Sequence, residues 1–111
     1  MRNRSFPEKT CSIDRLVRQP QHIQAAVAGR KTQQRRAGVY GHPGERFQLE
    51  GVEFEITDLR QQPLGEMTDA DAQAEGYESL EAYRAFILGI HPGMSWNEES
   101  VTWVHTFRRT S

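Results

Sequence analysis

The stretch Gly29-Arg30-Lys31-Thr32-Gln33-Gln34-Arg35-Arg36 packs four cations into eight residues. If it is extended, Thr32, Gln34 and Arg36 point the same way, so a hydroxyl, an amide and a guanidinium share one face. Such a row can bind the polar edge of a base or a phosphate. The same residues admit a plainer reading, because cations just past a helix C-terminus complement its dipole and basic side chains are usually solvated. Glu75 is the other residue of interest. It stands directly before Gly76, where a helix should end, and a negative charge there opposes the dipole at a cost of about 0.3 to 1 kcal/mol. Either something holds Glu75 in place, or it is a tolerated surface acid.

Other chemistry is poorly represented. Gly38, Gly41 and Gly44 lack the Lys-Ser/Thr of a phosphate loop, and the dinucleotide spacing is missing, so no nucleotide cofactor is expected. His22, His42, His91 and His105 are scattered, and no metal site is expected from them. His105 lies on the inward row of an alternating segment and reads as a satisfied core or cleft histidine. Cys11 is the only cysteine, which excludes an internal disulfide and any zinc site of several thiolates.

The elements that must position these groups follow from patterning. Gln19-Pro20 opens a helix with Ile23 and Val27 on one face and Gly29 as its stop. Arg30 and Lys31 emerge at its end, and Thr32–Arg36 reads as a short polar strand. Arg46–Glu50 and Val52–Leu59 alternate apolar and polar residues about Gly51, as a hairpin or one bent strand with Phe47, Leu49, Val52, Phe54 and Ile56 inward. Gln61–Gly65 is predicted to be a connector. Thr68 caps a helix with Asp69 and Asp71 in its first turn and Gly76 at its end. Ser79 caps a second, whose stripe is Leu80, Tyr83, Phe86 and Ile87, and His91-Pro92-Gly93 breaks it. Val101–Phe107 is the clearest strand, with Val101, Trp103, His105 and Phe107 alternating inward.

At 111 residues the chain has room for one domain. Residues 1–10 look like a flexible N-terminal arm and residues 11–111 like the domain proper. The longest apolar runs, Ala25–Ala28 and Ala85–Leu88, fall far short of the ~20 residues that span a bilayer. With no apolar stretch behind Arg2 and Arg4, a soluble, cytoplasmic protein with no membrane partner is expected. Charge is divided unevenly. From Met1 to Phe47 there are ten basic residues against three acids, and in the remainder four against twelve. One half can face phosphate, or the two halves pair on folding. Mixed strands and helices without regular β-α-β alternation predict an α+β unit round a mostly antiparallel, barrel-like sheet.

Ala28-Gly29-Arg30-Lys31-Thr32 with Arg36, Met67 to Tyr77 with Ser79-Leu80-Glu81, His91-Pro92-Gly93 and Val101 to Phe107 together resemble the ASCH domain family. The resemblance covers about Gln24 to Phe107. It implies a PUA-like, mostly antiparallel β-barrel with flanking helices, a cleft between barrel and helices, and an association with RNA or modified nucleosides. Some small bacterial members are similar to amidohydrolases that remove the acetyl group from acetylcytidine. Their working residues imply catalytic roles for Lys31 and Glu75, with Arg36 closing the motif. Gln34 stands where that motif has a second threonine, and an amide can neither ionise nor attack a carbonyl. Thr32 is the remaining hydroxyl.

Three functional expectations result. The first is binding of RNA or a modified nucleoside near Lys31 and Glu75, with Arg30, Lys31, Arg35 and Arg36 on phosphates, Gln34 on a base edge, and Tyr40, Tyr77 or Trp96 offering stacking faces. The second is amide hydrolysis, with a desolvated Lys31 amine as base or nucleophile and Glu75 as proton shuttle. The third is recognition of a protein or metabolite, which leaves no mark in the sequence. Oligomeric state is open.

Overall fold

The structure is a computed structural model and describes residues 6–110. After a single 3-10 turn at Ile13–Arg15 come α1 (Pro20–Val27), β1 (Gln33–Arg36), β2 (Arg46–Leu49) and β3 (Val52–Pro63). A second 3-10 turn, Leu64–Glu66, leads into α2 (Asp69–Glu75), α3 (Leu80–Ile90) and β4 (Val101–Arg109). The strands form one antiparallel sheet in the order β1-β4-β3-β2, so β4 is inserted between β1 and β3. The sheet curls into a half-barrel, as an α+β PUA-like fold requires.

Local chemistry explains the turns. β2 and β3 form a hairpin whose two loop residues, Glu50 and Gly51, both take positive φ, 52° and 81°. That is the two-residue turn whose twist matches paired strands. A register shift between Ile56 and Asp58 of β3 inserts an extra residue against β4, and such a bulge bends a strand and increases its twist. Inside the curl lie Leu16, Val17, Ala26, Phe47, Leu49, Phe54, Ile56 and Phe107. The Phe47, Phe54 and Phe107 rings meet with centroids 5.5 to 5.6 Å apart. A smaller cluster of Met67, Ala72 and Tyr83 joins α2 to α3, with Trp96 packed against it.

Two expectations fail. The strand expected to stop at Leu59 runs on to Pro63, and Gln62, predicted to lie in a connector, pairs with Thr102 and is 9% exposed. Its burial rests on polar partners, which an apolar alternation pattern does not register. Val101, expected inward, is 48% exposed, whereas Val104 and His105 are both fully buried. The middle of β4 is covered on both faces, so strict alternation breaks down there.

Residues 1–5 of the expected N-terminal arm lie outside the described residues. Within its remainder, the Thr10 N–H donates to Val39 O (2.7 Å), Lys9 pairs with Glu45 (2.7 Å) and Phe6 stacks on His42. Among the described residues no helix is long and apolar enough to cross a membrane. Nor is any group of three or more His, Cys, Asp or Glu side chains there arranged to hold a metal ion.

Candidate functional site

The site begins at the end of α1. The N–H groups of Arg30 and Lys31 both donate to Ala25 O, and Gly29 takes φ 88°, so the chain reverses and Lys31 turns beneath α2. The next amide, Thr32 N–H, donates to Ala74 O at 2.7 Å, which ties the start of β1 to the end of α2. Gly76 closes α2 with φ 108°, and a Cβ built there would lie 3.7 Å from the Cβ atoms of Ala25 and Lys31. A left-handed residue at close quarters is a glycine position.

This packing places Glu75, 1% exposed, against the row Lys31, Gln33 and Arg35. Lys31 Nζ donates to Glu75 O at 2.8 Å and to Glu75 Oε1 at 3.4 Å. Gln33 Nε2 donates to Glu75 Oε2 at 3.1 Å, and Arg35 Nε lies 3.7 Å from the same oxygen. Arg35 is fixed in turn by Nη1 to Thr102 Oγ1 and Nη2 to Gln62 Oε1, both 2.8 Å. The acid that opposes the α2 dipole is therefore held by cations and an amide, and the Lys31 ammonium also caps a carbonyl of the helix end. Burial pushes the Lys31 pKa below that of an ordinary lysine. Glu75 opposes the shift, while Arg36 and Arg35 add to it.

Beside this cluster lies a cleft of about 530 Å³. Gln34, Arg36 and Glu75 supply polar groups to its wall. Tyr40, Tyr77, Tyr83 and Phe86 supply aromatic surface, and Ile87, Ile90 and Met94 extend an apolar side along and beyond α3. The aromatic side chains brace one another. The Tyr77 ring lies 5.2 Å from Tyr83 and 5.4 Å from Phe86, and its hydroxyl is 2.6 Å from His22 Nε2. Burial, helped by Lys31 and Arg36, lowers the His22 pKa to about 4, so its imidazole is neutral at neutral pH. Arg36 donates through Nε and Nη2 to Leu16 O, with its guanidinium carbon 5.4 Å from the centre of the Tyr40 ring.

His105 supports the cleft from below. The Tyr40 N–H donates to its Nε2 at 3.0 Å, which leaves the proton on Nδ1, and Nδ1–H donates to Gln34 O at 3.2 Å. Burial lowers its pKa to about 4, against the raising effect of its hydrogen bonding to the Gln34 and Trp103 backbones. It is a satisfied buried histidine that fixes the backbones of two cleft residues.

Two solved structures share this architecture. An ASCH domain from Lactobacillus crispatus superposes with a TM-score of 0.58 at 17% identity, over 79% of this chain and 69% of that one. A DUF984-family protein from Enterococcus faecalis gives 0.57 at 16%, over 79% and 66%. The chain has the fold of an ASCH domain. No family model and no curated protein sequence matches it.

On this ASCH fold the sequence-predicted residues divide into two groups. Lys31 and Glu75, forty-four positions apart, meet in one buried pair, and Gln34, Arg35, Arg36 and Tyr77 reach the cleft wall. Arg30 and Thr32 are exposed and do not line the cleft. Thr32 precedes the strand, which begins at Gln33. Trp96 is also off the cleft wall, its ring 6.2 Å from Tyr83 and under the Arg84 guanidinium. Sequence reasoning followed the Thr32, Gln34 and Arg36 row and overlooked the alternate one. Lys31, Gln33 and Arg35 share a parity, which was the available signal for Gln33. His22 and Tyr83, also unforeseen at the cleft, carried no signal beyond being helical.

Proposed function

We propose that this protein binds an unpaired base, in a modified nucleoside or in single-stranded RNA, within the cleft above Glu75. The observation that carries the reading is a buried carboxylate, held from one side by Lys31 and Gln33, on the wall of a cleft that also presents the rings of Tyr40, Tyr77, Tyr83 and Phe86. A cleft of about 530 Å³ is in the range of small-molecule sites, which combine apolar walls with a few convergent polar groups. Tyrosine and phenylalanine faces stack any base, at about 1 to 3 kcal/mol each, and the polar groups choose among bases by their hydrogen-bonding edges. Arg36 at the wall and exposed Arg15 and Arg18 nearby supply positive charge for an attached phosphate.

Binding is favoured over amide hydrolysis by the position of the candidate nucleophile. The Lys31 amine is 0% exposed and donates to the Glu75 carbonyl, and the Thr32 hydroxyl lies away from the cleft. The lowered Lys31 pKa is the one feature that supports hydrolysis.

The test is titration of short single-stranded RNA and of mononucleosides, followed by tryptophan fluorescence or anisotropy. Tyr77→Ala should weaken binding about tenfold or more through lost stacking, and affinity should fall as salt rises if phosphates are contacted. Acetylcytidine incubated with the protein should release acetate no faster than in buffer. Binding that is indifferent to Tyr77→Ala and to Glu75→Gln, in variants whose circular dichroism is unchanged, refutes the cleft as the site.

A further inference from the structure

α3 carries an apolar stripe, Tyr83, Phe86, Ile87 and Ile90, and all four side chains line the cleft. The last three follow Tyr83 by three, four and seven positions, the spacing of a single helix face. At about 1.5 Å per residue the stripe makes a wall roughly 10 Å long. Its two ends differ. Tyr83 is 7% exposed and packs with Met67 and Ala72, and burial together with the nearby Glu75 charge pushes its hydroxyl pKa up. Ile90 is 42% exposed, and Met94, just past the helix, is exposed to the same degree. Among the described residues neither joins a core cluster, and they are two of the three large apolar side chains left exposed.

Polarity divides the cleft in the same way. The charged side chains on its wall, Arg35, Arg36 and Glu75, come from β1 and the end of α2, whereas the far end of α3 and the residues after it contribute Ile87, Ile90, His91 and Met94. A base stacked on the tyrosines beside Glu75 leaves that far end uncovered. A ribose or phosphate set against two aliphatic side chains would lose water with no hydrogen bond in return. The surface is also too small for a protein, since a stable interface buries about 800 Å² on each partner. Apolar surface at the mouth of a cavity is covered by an apolar part of whatever enters it.

We infer that the cleft takes a base carrying an aliphatic substituent of several carbons, with the ring beside Glu75 and the chain laid along α3 over Ile87, Ile90 and Met94. The inference rests on the base-binding reading above and names its ligand class. Each methylene laid on that wall leaves water, which tightens binding about two- to fourfold. A single methyl stays near the inner end of the stripe, and a longer chain reaches its last turn.

The test is calorimetric titration of adenosine and of derivatives carrying methyl, propyl or pentyl on the exocyclic amine, with the same series on cytidine. Where one base alone binds, its series decides. Affinity should rise with chain length by about two- to fourfold per methylene in wild type. In the double variant Ile90→Ser/Met94→Ser, changed only at exposed positions, the rise should flatten. Unmodified nucleosides that bind as tightly as the pentyl derivatives overturn this inference and leave base binding intact. A rise that persists undiminished in the double variant also overturns it, because the chain then lies elsewhere. No binding of any nucleoside, modified or not, by folded wild type overturns the base-binding reading itself.

Discussion

Lys31 and Glu75 form a pair that burial would forbid to either alone, since each charge taken out of water costs several kcal/mol unless it is compensated. The compensation is structural as well as electrostatic, because the same ammonium holds the last carbonyl of α2. His105 shows the opposite solution, burial as the neutral form. Its pKa of about 4, against the ordinary 6.5, means that the unfolded chain takes up a proton at higher pH than the folded one does. The stabilisation from the neutral ring is thus complete above pH 6.5 and is lost as pH falls from 6.5 towards 4. The loss is on the order of 3 kcal/mol. An NMR titration of the His105 ring should show no midpoint above about 5, and unfolding curves for His105→Gln should depend less steeply on pH in that window. A ring that titrates near 6.5 contradicts the assignment.

Among the elements, the β2–β3 hairpin stores a small strain that can be removed without touching the cleft. Glu50 holds φ 52° in a position where asparagine or glycine is preferred. Glu50→Asn should raise the unfolding free energy by up to about 1 kcal/mol, seen as a shifted denaturation midpoint. α2 is built from local signals, and these were legible. Thr68 and Asp71 form a reciprocal capping box and Gly76 the left-handed end. Asp71 also accepts from Gln62 Nε2, so one capping acid links the helix to β3. That second role was not legible, because Gln61, Gln62 and Pro63 read as a connector and their place in a strand depends on Arg35 and Thr102, far away in sequence. Likewise Lys31 and Glu75 could be singled out by their motif and by the helix dipole, whereas Gln33 could not be singled out without knowing which face of β1 meets α2.

Over the whole molecule, the basic first half and acidic remainder do meet, through Lys31 and Arg35 on Glu75 and through Arg46 on Glu53. Only the buried contacts carry weight, since an exposed pair such as Arg46–Glu53 contributes at most about 1 kcal/mol. The sheet supplies the larger constraint. β1 has β4 as its neighbour in the sheet, and β4 also carries His105, which anchors Gln34 and Tyr40. A chain ending at Ser100 should therefore lack cooperative unfolding and be cleaved rapidly by protease. A truncated chain that melts like the full one refutes this dependence.

The insertion of β4 between β1 and β3 also governs when the sheet can close during the chain's own translation. While residues 101–109 are still inside the ribosomal exit tunnel, the Gln33–Arg36 stretch has no sheet to join, and its four consecutive polar side chains stay hydrated. The nascent polypeptide thus exposes a cationic run without a formed cavity, and the cleft cannot close until the last strand emerges.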